Sequence, residues 1–202
     1  MDVISISWGF TEVKPKIAKA LEESQDKKIV IVAAAANHGR NDKIAFPANF
    51  KTSVICIGAA NGSGRISAFS ADDPELEKYA VLGEAVDGAS ISKLPRTSLL
   101  STFPDLFYQT KLKDDTERKS GTSTAAPIAA GIAALFIEYT RQPQNQCQDA
   151  KSHSNMRKLF TAMSAEYWET YRLLVPWSLL SYKDETSKGK IKAALDNGNM
   201  TI

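Results

Sequence analysis

The chain has 202 residues, of which 43% are hydrophobic, 24% charged and 8% aromatic, and its formal net charge is +2. This composition excludes disordered and fibrous proteins, and the length allows one domain, or one domain with an appendage, to bury a sizeable core. The nearly balanced charge gives no reason to expect nucleic acid or an anionic membrane as a partner.

Strands and helices alternate in the first 60 residues. Residues 3–7 (VISIS) are β-branched and predict a strand, and residues 11–23 predict a helix in which Pro15 fits only the first turn. Residues 29–35 (IVIVAAA) are continuously apolar and predict a strand buried on both faces. Residues 54–58 (VICIG) predict a further strand. This alternation predicts an α/β fold with a mostly parallel sheet.

The middle of the chain has weaker patterns and then one strong one. Residues 61–118 are irregular, and only 78–82 and 106–108 have the composition of short strands. Residues 123–141 begin with small side chains and continue with apolar residues at helical spacing. This pattern predicts a helix that packs closely on the sheet.

The last third has a different composition. Residues 142–155 are polar and predict a linker, residues 155–171 carry apolar side chains at helical spacing, and 190–195 predict a short final helix. We therefore divide the chain into a first domain, residues 1–141, and a linker with a helical C-terminal appendage, residues 142–202.

Four short blocks carry residues suited to chemistry. SGTSTAAPIAAG at 120–131 places Ser123 between a Gly-Thr pair and the predicted helix. AAAANHG at 33–39 ends the buried strand with Asn37, and AFPANF follows at 45–50. DVISISWG at 2–9 ends the first strand with Ser-Trp-Gly. By default, Ser123 is a helix N-cap and Asn37 a turn residue.

Together, in this order and at these spacings, the blocks resemble those of the subtilisin-like serine peptidases (subtilases), whose serine motif is G-T-S-x-A-x-P-x-x-A-G. The resemblance covers about residues 2–140 and implies the C-terminal part of a catalytic domain with a three-layer subtilisin-like fold. It implies a serine endopeptidase in which Ser123 is the nucleophile and Asn37 contributes to the oxyanion hole. It also implies a substrate-binding set: Ser7, Trp8, Gly9, Ala35 and Ala36.

General chemistry explains why such residues suit this task. A serine at a helix start has backbone N–H groups and the positive helix end beside the reacting carbonyl. An amide side chain such as that of Asn37 can supply a second donor to the developing oxyanion. The Ser7–Gly9 segment can pair with an extended peptide by strand addition.

The sequence also departs from the family pattern. Ala36 stands where the family has glycine, which adds a methyl group at the expected wall of the main specificity pocket, and Ile128 occupies a position that is often histidine. The family Asp and His motifs precede the strand that matches residues 3–7, and H-G-T-H does not occur in this sequence. We therefore expect that this chain alone has no normal peptidase activity and is part of a longer protein.

The two histidines do not replace the missing base. His38 adjoins Asn37 but should point elsewhere, and His153 lies in the polar linker, which predicts a solvated loop residue. A catalytically dead subtilase-like interaction module and an unrelated α/β domain remain alternatives. The related sedolisins also share a G-T-S motif, but they place an aspartate in the oxyanion site, against Asn37 here.

Cofactor, partner and location predictions follow. We expect no cofactor; calcium is an option only through the family resemblance, because no site for it is identified. The expected partners are a peptide or protein substrate, and a missing N-terminal segment or a larger multidomain parent. Cys56 lies in an apolar run and predicts a buried free thiol. With no signal peptide and no run of 18 apolar residues, we expect a cytoplasmic protein without a transmembrane helix.

Overall fold

A computed structural model describes residues 1–89, 116–145, 147–166, 171–180 and 184–197. A six-stranded sheet forms its centre, with strand order β1-β2-β3-β4-β8-β7, and β5 and β6 form a separate antiparallel pair. All neighbours in the large sheet are parallel except β7 and β8. The strands are β1 (Val3–Ile6), β2 (Val30–Ala34), β3 (Ile55–Ala60), β4 (Lys78–Leu82), β5 (Val86–Ala89), β6 (Thr116–Lys119), β7 (Ser164–Glu166) and β8 (Tyr171–Leu174).

Helices cover both faces of this sheet and make three layers. They are α1 (Pro15–Asp26), α2 (Thr122–Arg141), α3 (His153–Met163) and α4 (Asp184–Asn197), with short 3-10 turns at Pro143–Asn145 and Pro176–Ser178. α2 packs across β1 to β4, and α3 packs against α4. On the other face, Leu21 of α1 shares a core cluster with Ile31 and Ala33 of β2. The predicted α/β fold with a mostly parallel sheet is therefore confirmed.

β2 is the most thoroughly buried part of the sheet. All five of its residues are buried, because alternate side chains reach the cores on the two faces. Cys56 of β3 is likewise buried and its thiol is free, as predicted. Burial raises the pKa of this thiol far above its usual range, so it is an inert core residue.

α2 is long and apolar enough to cross a membrane, judged by length and composition alone. Core helices meet the same criterion, and one face of α2 is fully buried against the sheet through Ala125, Ala126, Ala129 and Ala133. Gly131 of the serine motif is exposed and has open space around it, so it is not one of the residues that allow this close packing.

The tail differs from the predicted one. The helix expected over 155–171 is α3, which begins at His153 and ends at Met163. It is followed by β7 and β8, which extend the central sheet beyond β4. The residues after 142 thus contribute strands as well as helices, whereas the domain division at 141 stays a prediction. The strand predicted at 106–108 lies outside the described residues.

Candidate active site

Ser123 lies in the first turn of α2, at the carboxyl edge of the sheet, and is exposed. The N-cap of α2 is Gly121, and no side-chain hydrogen bond caps the helix, so Ser123 does not act as the N-cap. The Gly121 N–H donates to the carbonyl of Gly83, directly after β4, at 2.7 Å. This bond ties the start of α2 to the end of a central strand.

Gly121 separates the Ser123 hydroxyl from the Asn37 amide. A Cβ at position 121 would lie 3.0 Å from Ser123 Oγ and 3.2 Å from Asn37 Nδ2. The two predicted functional groups therefore face the same small space, and a glycine keeps that space open. The φ angle of Gly121, 156°, is also one that L-residues rarely adopt.

Thr122 fixes the orientation of the Asn37 side chain. Asn37 Oδ1 accepts hydrogen bonds from the Thr122 N–H at 2.7 Å and from the Thr122 hydroxyl at 3.0 Å. Because both donors reach the same atom, that atom is the amide oxygen and the other is the NH₂ group. The NH₂ group thus lies on the side of Gly121 and Ser123. No role was expected for Thr122 from the sequence, although its place in the G-T-S motif was a signal.

The Thr122 hydroxyl also holds the residue before Asn37. It accepts a hydrogen bond from the Ala36 N–H at 3.3 Å, and Thr122 is fully buried. Ala36 adopts φ 121°, a left-handed value that favours glycine. The alanine that replaces the family glycine therefore occupies a strained backbone position.

Replacing Ala36 with glycine should stabilise the chain. We expect Ala36→Gly to raise the free energy of unfolding by about 1 kcal/mol, because the strain of about 1–3 kcal/mol exceeds glycine's entropic cost of about 0.5–1 kcal/mol. Urea unfolding measures the change. Ala35→Gly is the matched control: Ala35 is fully buried and is not among the positive-φ residues, so this variant should lose stability. Equal destabilisation by both changes would contradict the strain at Ala36.

The predicted substrate-binding residues directly after the first strand lie beside Ser123. Ser7, Trp8 and Gly9 are all exposed, and the Ser7 hydroxyl donates to the Ser123 carbonyl at 3.0 Å. A Cβ on Gly9 would lie 2.8 Å from Ala45 Cβ, so glycine is needed for this close approach. The segment continues into an aromatic contact, because the rings of Trp8 and Phe10 meet edge to face at 5.5 Å.

Ala35 and Ala36 differ in what they can offer a peptide. Ala36 is partly exposed. Ala35 is fully buried, its N–H donates to Ile57 and its carbonyl accepts from Ala45. Ala35 therefore only stabilises the fold of this segment, whereas Ala36 is accessible to a peptide.

Neither histidine is positioned as a base by what the structure describes. His38 is exposed in the loop after β2. His153, predicted to be a solvated loop residue, is instead half-buried at the start of α3 and hydrogen-bonded to the backbone of Val54, which precedes β3. That prediction was wrong. Burial is the main cause that lowers the pKa of His153, and the residue lies at the amino edge of the sheet, opposite Ser123.

No metal cluster accompanies the site within the described parts of the chain, where no group of three or more His, Cys, Asp or Glu residues could hold an ion. The predicted functional groups that the structure brings together are thus a hydroxyl, an amide and the backbone N–H groups at a helix start. Such an arrangement can bind a carbonyl and stabilise negative charge on its oxygen.

Named proteases are similar to this chain in sequence. The chain is 33% identical to Subtilisin DY of Bacillus licheniformis over 140 residues, which are 68% of this chain and 43% of that protein. It is 25% identical to Minor extracellular protease Epr of Bacillus subtilis over 194 residues, which are 96% of this chain and 25% of that protein. The chain thus spans less than half the length of these two relatives.

Solved structures share the fold. The protease domain of PatA, solved as a mutant, aligns with a TM-score of 0.67 and 22% identity over 99% of this chain and 62% of that one. The prenylagaramide maturation protease PagA aligns with a TM-score of 0.62 and 22% identity over 84% of this chain and 56% of that one. Both likenesses support the subtilisin-like fold.

The family model described as Subtilase family matches residues 1–171, which is most of the chain. The match includes β1, the Asn37 segment and the start of α2, which form the site described above. It also extends through α3 to the first residue of β8. The chain belongs to the subtilase family.

Proposed function

We propose that this chain is part of a serine endopeptidase in which Ser123 is the nucleophile, and that Asn37 and the Ser123 backbone N–H form the oxyanion hole. The observation that carries the proposal is the meeting of Ser123 Oγ and Asn37 Nδ2 on either side of Gly121. Each group alone has an ordinary structural explanation. Their convergence beside a glycine that holds the space open is what a site for a reacting carbonyl requires.

The hydrogen bonds at the start of α2 indicate which backbone N–H group is available to the oxyanion. The Thr122 N–H donates to Asn37, and the N–H groups of Thr124 and Ala125 donate to the Gly121 carbonyl. The first N–H groups of a helix lack partners within it. Among the described contacts of this turn, the Ser123 N–H is thus the one left for an oxyanion.

The reaction then follows acyl-transfer chemistry. Ser123 Oγ attacks the peptide carbonyl as its proton passes to a base, and the carbonyl oxygen becomes negative. The amine leaves with a proton returned by the base, and an ester on Ser123 remains. Water, activated by the same base, cleaves this ester and restores the hydroxyl. Asn37 and the Ser123 N–H contribute most when the negative charge has developed.

The base and its orienting acid belong, in this proposal, to a segment outside the chain. Residues 1–202 alone would then bind and polarise a carbonyl but have no normal activity. The experiment is labelling with a serine-directed fluorophosphonate. The chain extended by its upstream coding sequence should react at Ser123, and the 202-residue chain should not. An upstream sequence without D-x-G and H-G-T-H motifs would contradict the proposal.

A catalytically dead interaction module is the second candidate. The feature that favours it is the pairing of an intact nucleophile position with the absence of an H-G-T-H motif from the sequence. This candidate requires that the extended protein, soluble and folded, still fails to react with the fluorophosphonate.

Thr122 is a positioning residue for Asn37, and its loss should slow the reaction. We expect Thr122→Val in the extended protein to lower kcat about tenfold with little change in KM, because one hydrogen bond to Oδ1 is lost and the amide can rotate. Thr122→Ser retains the hydroxyl and should restore most of kcat. A purely structural role would instead appear as lost stability with unchanged kcat in the folded fraction.

A further inference from the structure

The backbone carbonyl of Ser123 lacks the usual helical donor. In an α-helix, the carbonyl of residue i accepts a hydrogen bond from the N–H of residue i+4. For Ser123 that residue is Pro127, which lies inside α2 and has no N–H. A proline ring also crowds the carbonyl four residues before it, which disfavours the ordinary helical orientation of that carbonyl. The carbonyl of the proposed nucleophile is therefore open to a donor from outside the helix.

Ser7 supplies such a donor. Its hydroxyl donates to the Ser123 carbonyl at 3.0 Å, although the two residues are 116 positions apart in the sequence. Ser7 directly follows β1, which ends at Ile6, and α2 packs against this strand. Pro127 and Ser7 thus act on the same carbonyl, because the proline removes the helical donor and the serine hydroxyl replaces it.

The first turn of α2 is held by the ends of three strands. Hydrogen bonds from Gly121 and Thr124 tie this turn to the carbonyl that follows β4, and those from Thr122 tie it to the side chain that follows β2. These bonds fix the residues on both sides of Ser123. The bond from Ser7, at the end of β1, holds Ser123 itself.

We propose that Ser7 is a positioning residue for the nucleophile, a role that rests on the proposed function of Ser123. The bonded carbonyl belongs to the peptide group between residues 123 and 124. Holding that group in place restricts the backbone rotation of Ser123, and with it the directions of Oγ and of the N–H that faces the oxyanion. One hydrogen bond from Ser7 therefore orients both reacting groups of Ser123.

The same bond joins the nucleophile to the segment expected to bind a peptide. Ser7 begins the exposed stretch Ser7–Gly9, which can pair with an extended backbone. A peptide bound there is placed relative to Ser7, and Ser123 is placed relative to the same residue. Ser7 thus helps to set the distance between the reacting carbonyl and Oγ, for which a displacement of about 1 Å can cost a factor of about 10² in rate.

Steady-state kinetics of the extended protein test this role. Ser7→Ala should lower kcat about five- to tenfold with little change in KM, because the peptide still binds through the backbone while the nucleophile loses one orienting hydrogen bond. Ser7→Thr retains a hydroxyl and should restore most of kcat. Ser5→Ala is the matched control, since it removes an exposed hydroxyl from β1 itself and should change neither constant. An effect of Ser7→Ala on KM alone would overturn the proposal.

Pro127→Ala tests the link between the proline and Ser7. Alanine restores an N–H at the position from which a helix bonds the Ser123 carbonyl. In this background, Ser7→Ala should change kcat by less than about twofold, because the carbonyl again has a helical donor. Pro127 is exposed, and alanine favours a helix, so the variant should fold. Fully additive losses from the two changes would contradict a shared action on this carbonyl.

A measurement without catalysis separates this proposal from the proposed function. In the 202-residue chain, ¹³C labelling of the Ser123 carbonyl reports its hydrogen bonding through the carbonyl chemical shift. Ser7→Ala should move this resonance, Ser5→Ala should not, and Pro127→Ala should make the effect of Ser7→Ala much smaller. An unmoved resonance in Ser7→Ala refutes the role of Ser7 even if the extended protein is active. A moved resonance with no fluorophosphonate labelling of the extended protein refutes the proposed function and reduces the bond to a structural one.

Discussion

Ser123→Ala is expected to lower kcat by about 10⁶-fold in the protein extended by the segment that carries the base and acid. The magnitude is the one measured in subtilisin itself, a member of the same family, where loss of the serine costs about as much as loss of the whole triad. The physical reason is that no acyl intermediate can form once the hydroxyl is gone. Peptide hydrolysis and fluorophosphonate labelling both report this loss.

Two comparisons make this result specific. Ser63→Ala, in an exposed loop where Ser63 contacts Asn61, should leave hydrolysis and labelling unchanged. In the 202-residue chain, the unmodified protein and Ser123→Ala should be equally inactive, because the base is absent from both. Hydrolysis by the isolated chain that survives Ser123→Ala would contradict both the nucleophile and the need for another segment.

Asn37→Ala is expected to lower kcat by about 10²–10³-fold and to change KM little. This value is again known from a subtilisin, for removal of one oxyanion-hole donor. The asymmetry between kcat and KM arises because the donor is most favourable once the carbonyl oxygen carries negative charge. Steady-state kinetics of the extended protein measure both constants.

The pairing of Asn37 with Thr122 gives this prediction a second test. If Thr122 acts by orienting the amide, Thr122→Val should have almost no effect in an Asn37→Ala background. Asn155→Ala removes an amide at the opposite edge of the sheet and is the matched control. An equal loss of kcat in Asn37→Ala and Asn155→Ala would indicate a general loss of fold.

The sequence predicted best those features that local pattern determines. β2 was expected over 29–35 and spans Val30–Ala34, because an apolar run of this kind is stable only between two cores. β4 was expected over 78–82 and is found there. α1 was expected from residue 11 but begins at Pro15, where proline fits the first position of a helix.

Features that depend on distant contacts were missed. The apolar spacing after residue 155 predicts one long helix, yet the chain turns to strand at Ser164, because Ser164 pairs with Leu174 of β8. β8 in turn pairs with β4. Tertiary pairing overrides local propensity here. The β5–β6 pair likewise joins segments separated by residues 90–115, so no short-range signal indicates it.

Burial of a charge was also beyond the sequence pattern. Lys78 would ordinarily be placed at the surface, but its side chain is fully buried, with Nζ 2.5 Å from Asp72 Oδ1 and 5.1 Å from the centre of the Tyr171 ring. The candidate active site was predictable only in part. Motif resemblance selected Ser123 and Asn37, whereas the Thr122 hydrogen bonds that orient Asn37 are evident only in the structure.

The parallel pairing of β4 with β8 sets an order for folding during synthesis. β4 is complete at residue 82, but its outer neighbour, whose register joins Lys78 to Tyr171, is not available until about 90 residues later. Until then the backbone groups on that side of β4 have no partner, which invites pairing with other chains. Because the chain between β4 and β8 must first close into a long loop, we expect the outer part of this sheet to assemble late and slowly. The nascent protein should therefore depend on chaperones until residue 174 has left the ribosome.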